Sequence, residues 1–330
     1  MKISLLFFAV FSVGTIFSQT LTPEYETEIF TRDTLITVKA KPDSGFNYEY
    51  LVFIPKATKK GKEQWLIVEP NNSGFTSDSI EKHHDSAIFV ATKRSLGNYI
   101  SRELKMPLLV PVFPRPKLHH KIYTHALDRD VMLGRNEDFF RPDLQLISMV
   151  EDVRTRLEEL GIPVKKKLLM SGFSASGSFV NRFLFLHPEI VQATVAGGVN
   201  GILMLPRKEM NGIELNYPLG INDLEEITGK KFNSKLYSAV PQFIFMGALD
   251  GNDAVPYDDA YGDEERKVIY ATVGKQMQPN RWEKCQQIYR EEKINSHFRI
   301  YLGVGHRSDE KINLELIAFI KEHIYEDATK

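Results

Sequence analysis

The sequence has one cysteine, Cys285, in 330 residues. No internal disulfide can form, so the fold must stand on its apolar core even in an oxidising compartment. Charge of one sign is not in excess either: 42 Lys and Arg oppose 43 Asp and Glu, for a formal net charge of -1. That balance excludes a broadly basic nucleic-acid binder. The short stretch "KATKKGK", residues 56–62, reads as a solvated loop. No repeat, low-complexity block or convincing domain linker interrupts the chain. What remains is ordinary globular material, 42% hydrophobic and 26% charged, enough for one large core or two small ones.

The strongest apolar run lies at the N-terminus. Lys2 is followed by "ISLLFFAVF", then by weaker apolar residues to Phe17, then by Ser18-Gln19. A positive start, a short apolar stretch and a small residue at the cut make a secretory signal. The run is short for a membrane span, which takes about 20 apolar residues; an uncleaved anchor is the alternative. No cysteine lies nearby to carry a lipid. Residues 1–18 are therefore expected to be removed, leaving a mature chain from residue 19 that is secreted or periplasmic and free of the membrane.

Along the mature chain, "TLITVKA", "YEYLVFIP" and "WLIVEP" read as strands. Residues 80–104 carry a helical rhythm. "PLLVPVF" is a strand with prolines at its borders. "DLQLISMVEDVRTRLEELG" is an amphipathic helix that Asp143 can cap and Gly161 can stop. "KKLLMSG", "VQATVAGG", "PQFIFMG" and "HFRIYLG" are further strands. Helices are expected over 179–186, around 281–292, and in "EKINLELIAFIKEHI". Strands alternating with helices predict an α/β fold: a mostly parallel central sheet with helices on both faces, begun by an antiparallel hairpin. Residues 201–238 fit the alternation poorly and read as an insertion, the kind of segment that often serves as a lid or binding loop.

In "KLLMSGFSASGSFVNRFLFLHPEIV", residues 167–191, small side chains fill the junction between a strand and a helix. Gly172-Phe173-Ser174-Ala175-Ser176 is a loosened G-x-S-x-G turn, which lifts its central serine on a strained backbone. Ser176 takes the second small position, with Gly177 after it, and stands as a rival nucleophile to Ser174. A serine hydroxyl needs an adjacent base. "YLGVGHRSDE" sets His306 in a glycine-flanked turn after the last strand. "FIFMGALDGNDAVP" sets Asp250 just beyond another strand, with Asp253 as a competitor in the same loop. The acid would fix the imidazole tautomer and the histidine would move the proton. Taken alone, each reads more readily as a capping aspartate or a surface histidine; at three strand ends in the order Ser174, Asp250, His306 they match a nucleophile, acid and base.

On "GFSASG…FLHPEIV", "GALDGND" and "GVGH" the chain resembles the α/β-hydrolase superfamily across about 47–324. The likeness extends to esterases of the dienelactone-hydrolase and polyhydroxyalkanoate-depolymerase type, and to peptidases of the prolyl-oligopeptidase type. The resemblance implies serine hydrolysis through an acyl-enzyme, with no metal and no organic cofactor. It implies an oxyanion hole made by the backbone N–H of Ala175 and by one from "EPNNSGF", at Asn72 or Ser73. That stretch is otherwise a tight turn.

The loop 114–130, "PRPKLHHKIYTHALDRD", is expected at the same end of the sheet, with Arg115, Tyr123, His125 and Arg129 in reach of substrate. A metallohydrolase reading would use His119, His120, His125, Asp128 and Asp130, but adjacent histidines diverge and no H-E-x-x-H helix is present. A non-catalytic binding protein on a hydrolase fold is the other rival. Export favours a small-molecule or polymeric ester as the partner; esters and peptides pass through the same acyl chemistry.

Overall fold

The computed structural model describes residues 28–134 and 138–325; the expected signal lies outside them. Strands β1 (Thr34–Val38), β2 (Tyr50–Ile54), β3 (Gln64–Val68), β4 (Leu108–Pro111), β5 (Val164–Phe173) and β6 (Val191–Gly197) come first. The short β7 (Glu209–Met210) and β8 (Ile213–Glu214) follow, then β9 (Gln242–Gly247) and β10 (Ser296–Tyr301). Eight of them form one sheet in the order β1-β2-β4-β3-β5-β6-β9-β10. β2 pairs antiparallel with β1 and with β4; the pairs from β4 onward are parallel. The opening hairpin and the parallel remainder agree with the strand–helix alternation of the sequence.

Side chains alternate across a strand, so the sheet divides the core in two. Tyr50, Val52 and Ile54 of β2 and Leu66 and Val68 of β3 face one layer. Leu51, Phe53, Trp65 and Ile67 face the other. The first layer is covered by α4 (Pro142–Glu159), α5 (Ala175–Leu186) and α9 (Trp282–Glu291), the second by α1 (Ile80–Thr92), α2 (Leu96–Leu104) and α10 (Glu310–Tyr325). Cys285 is buried in the first layer, where burial pushes its thiol up to about 12 and leaves it inert.

Three elements differ from expectation. The rhythm over 80–104 is two helices, because Ser95 turns extended and its hydroxyl accepts the Asn98 N–H, starting α2 afresh. Asp143 does not cap α4: Arg141, at φ 50°, precedes the helix, and the Asp143 carboxylate turns inward to meet it. Residues 201–238 are more regular than expected, holding the β7–β8 pair, α6 (Leu224–Thr228) and α7 (Ser234–Ala239). Leu203, Met204, Leu205 and Tyr217 of this stretch are buried in the first core layer. The sequence pattern also missed α3 (Arg129–Leu133) and α8 (Asp263–Thr272).

Candidate active site

Ser174 stands between β5 and α5 at φ 63°, ψ -126°. Such a backbone is costly for any residue with a Cβ and persists only where its surroundings hold it. Its N–H donates to the Gly197 carbonyl at 2.9 Å, tying the turn to β6. The neighbours must be small: a Cβ on Gly172 would lie 2.3 Å from the Ser176 carbonyl oxygen, and one on Gly177 would lie 2.7 Å from that of Gly197. Ser176 is 2% exposed. Its hydroxyl accepts the Phe173 N–H and donates to the Phe173 carbonyl, both at 2.9 Å. It closes the turn from within, while Ser174 Oγ is left at the apex.

The loops after β9 and β10 meet beside this turn. The Ala248 N–H donates to Tyr301 and the Leu249 N–H to Val304, so the two loops are stitched together by their backbones. His306 Nδ1 lies 2.8 Å from Asp250 Oδ2, with the histidine side chain 29% exposed and the aspartate side chain 1%. Asp250 Oδ1 accepts the Asn252 N–H at 3.0 Å. The Gln278 side chain pins the same loop by donating to the carbonyls of Gly247 and Asp250. Asp253 is engaged elsewhere: one oxygen accepts the Val255 N–H and the other pairs with the buried Arg281 guanidinium. Ser174 Oγ and His306 Nε2 do not bond each other. Both face the Asn252 Nδ2, at 3.3 and 3.0 Å.

The His306 ring rests on Phe173, with centroids 4.8 Å apart. A Cβ on Gly198 would lie 3.1 Å from His306 Cε1, so a glycine makes room for the imidazole. On the opposite flank the loop after β3 is locked by Asn71, whose side chain exchanges two hydrogen bonds with the Phe113 backbone, at 2.8 and 3.0 Å. Asn72 Nδ2 then reaches the Phe173 carbonyl at 3.3 Å, next to the serine. The N–H groups of Asn72, Ser73 and Ala175 donate to no acceptor among the described residues. A cleft of about 790 Å³ opens beside them, lined by Glu69, Asn72, Arg94, Phe173, His306 and Asp309.

The side chains expected to face substrate in the loop after β4 are engaged within the protein. His125 is fully buried, its Nε2 2.7 Å from the Phe113 carbonyl. Burial, above all, lowers its pKa to about 3. The neutral, enclosed imidazole lies under the Asn71 loop, its Nε2 3.2 Å from Asn71 Nδ2. Arg115 pairs with Asp259 and lies over the ring of the buried Tyr123, 3.7 Å from its centroid. Arg129 turns to the insertion, bonding the Tyr217 carbonyl and Asp223. Asp128 is buried, accepts the Tyr123 and Val131 N–H groups, and is pushed up to about 8 by burial. Among the described residues no group of His, Cys, Asp and Glu is arranged to hold a metal.

In overall shape the chain is similar to poly(aspartic acid) hydrolase-1 from Sphingomonas sp. KT-1, over 88% of this chain and 98% of that one, at 14% identity and a TM-score of 0.56. The chain has the α/β-hydrolase fold. An S-formylglutathione hydrolase from Agrobacterium tumefaciens is also similar, at 11% identity and a TM-score of 0.49, over 91% of this chain and 97% of that one. No protein-family model and no curated protein matches the sequence.

In this α/β-hydrolase frame Ser174, Asp250 and His306 follow β5, β9 and β10, all at the carboxyl ends of the sheet's parallel strands. Three residues escaped the sequence reading. Asn252 and Gln278 matter only through where their amides point. Glu69 follows β3 and looked like the end of a strand. Burial pushes its carboxyl up to about 7, against hydrogen bonds from Gly97, Ser95 and Ser171.

Proposed function

We propose that the protein is an exported serine hydrolase that cleaves carboxylic esters through an acyl-enzyme. Ser174 attacks the carbonyl carbon and gives its proton to His306 Nε2. Asp250 holds Nδ1–H and stabilises the imidazolium. The N–H of Ala175, with that of Asn72 or Ser73, receives the oxyanion. His306 returns the proton to the departing alcohol, and a water then releases the acid by the same steps.

One observation carries this reading. A serine on a strained backbone at a strand–helix junction stands beside a histidine whose far nitrogen is bonded to a buried carboxylate. Neither feature alone needs catalysis, but their junction at the loop end of an α/β-hydrolase sheet has no structural requirement behind it. The poly(aspartic acid) hydrolase is named for a polyamide; amide and ester pass through the same tetrahedral chemistry, and esters need the weaker leaving-group assistance.

Labelling with a fluorophosphonate, followed by peptide mapping, is the test. The adduct is expected on Ser174, and Ser174→Ala is expected to abolish it and to lower ester turnover by about 10⁶, with the melting temperature unchanged. An adduct on Ser176, or full activity in Ser174→Ala, overturns the mechanism. Export is checked separately: protein recovered from its native host is expected to begin near Gln19, and an intact Met1 would refute the signal.

A further inference from the structure

The Asn252 amide occupies a position that the proposed reaction must use. We propose that Asn252 determines which leaving groups the site accepts, favouring alcohols that carry a further hydrogen-bonding group over purely apolar ones. The inference rests on the acyl-enzyme reading and goes beyond it to the leaving-group side of the substrate.

The geometry fixes the polarity of the contact. His306 Nδ1–H donates to Asp250 Oδ2, so Nε2 carries a lone pair and needs a donor. The atom facing it is the Asn252 Nδ2 at 3.0 Å, and the same nitrogen lies 3.3 Å from Ser174 Oγ. One NH₂ group thus serves two acceptors, and the serine–histidine bond is absent while it does so. A departing alcohol oxygen has to lie within hydrogen-bond reach of Nε2, about 2.6–3.2 Å, and on the carbon that Oγ has attacked. That place is where Nδ2 stands. The substrate must therefore turn the amide aside.

The amide is able to turn. Asn252 is exposed. Its backbone is held by the N–H to Asp250 Oδ1 bond at 3.0 Å, which anchors the main chain and leaves the side chain rotatable. Turned outward by a rotamer change, the amide still flanks the departing group. It has then lost two acceptors. An alcohol with a second hydroxyl gives it a new partner; an alkyl alcohol leaves it facing hydrocarbon. Losing a hydrogen-bond partner against an apolar group is a contrast by which sites discriminate, and because Asn252 is exposed water offsets part of the loss and keeps the discrimination modest. Asp250, by comparison, is committed to His306 and the Asn252 N–H, and Arg281 to Asp253, so neither competes for this role.

The experiment compares 2-hydroxyethyl acetate with butyl acetate on wild type and Asn252→Ala. Both esters form the same acetyl-enzyme, so its hydrolysis cancels from the ratio of kcat/KM. Wild type is expected to favour the hydroxyethyl ester. Asn252→Ala is expected to shift the ratio about tenfold toward butyl acetate, with fluorophosphonate labelling of Ser174 faster and the melting temperature unchanged. Changing the acyl chain at a fixed alcohol should give the same selectivity in both proteins; a merely loosened loop would alter both series. An unchanged leaving-group ratio in an Asn252→Ala enzyme still labelled on Ser174 overturns this inference alone. If wild type is not labelled on Ser174, the acyl-enzyme reading falls instead.

Discussion

Two histidine–aspartate pairs in this molecule have the same contact distance and opposite surroundings. His306 Nδ1 meets Asp250 Oδ2 at 2.8 Å at the rim of a cleft. His187 Nε2 meets Asp143 Oδ2 at 2.8 Å between the end of α5 and the start of α4, with the histidine side chain 4% exposed and the aspartate 0%. The second pair has a third member: Asp143 also receives two hydrogen bonds from the Arg141 guanidinium. Burial opposes charge on His187, yet the hydrogen bonds and charges of Asp143 and Glu189 outweigh it and raise its pKa. The Asp143 carboxyl is likewise held below its ordinary range by Arg141 and His187, against burial. This cluster is built to hold charge still. At His306 the second nitrogen, Nε2, faces the exposed Asn252 amide beside Ser174, whereas the second nitrogen of His187 is enclosed in the protein. A histidine–acid contact is not a site; a second nitrogen that a substrate can reach makes it a candidate.

The comparison breaks most sharply at the acids. Asp250→Asn is expected to lower turnover by about 10⁴, as loss of the orienting carboxylate does, while the protein stays folded. Asp253→Asn, which touches Arg281 and not His306, is expected to keep turnover within about tenfold, the scale of an indirect disturbance. Steady-state kinetics on one chromogenic ester reads both. If Asp253→Asn is the dead variant, the acid has been assigned to the wrong residue.

Asp143→Asn should give the converse. It leaves Arg141 and His187 buried without their anion, the kind of break that costs about 3–5 kcal/mol. Urea unfolding is expected to show that loss, and turnover per labelled Ser174 to stay near wild type. A variant that is stable but inactive would mean that the inner cluster acts on the chemistry.

How much of this was legible follows from what each feature needs. The hairpin and the parallel sheet are written in alternation and turn residues, which act locally. The turn at Ser174 is legible because a steric requirement for small side chains leaves a visible run. Asp250 and His306 are legible as positions, since both fall just past strands. Burial in loops is another matter. His125 sits among "KLHHKIYTH", a stretch as polar as any surface loop, and is enclosed only because the β3 loop folds over it. Asp143 reads as a helix cap because its inward partners, Arg141 and His187, are brought to it by a turn and by a helix 44 residues away. Asn252 has no pattern at all: its importance lies in a side-chain direction within one loop.

The smallest expected effect sharpens the contrast between buried acids. Asp143 has cations and is held ionised; Glu69 has only neutral donors, the Gly97 N–H and the hydroxyls of Ser95 and Ser171. Burial therefore raises its pKa from 4.5 to about 7. For a raised carboxyl the folded state prefers the proton. Its stabilising contribution is full below pH 4.5 and is lost as pH rises through about 7. Glutamine keeps an acceptor for Gly97 and never ionises. Glu69→Gln is expected to change stability little near pH 4.5 and to stabilise the protein near pH 8, by at most about 3 kcal/mol if the whole shift is realised. Thermal melts of both proteins across that range read the difference. A gain that does not grow with pH would mean that Glu69 is ionised in the fold, and that Gly97 and its hydroxyl neighbours suffice to hold an anion where Asp143 needs an arginine.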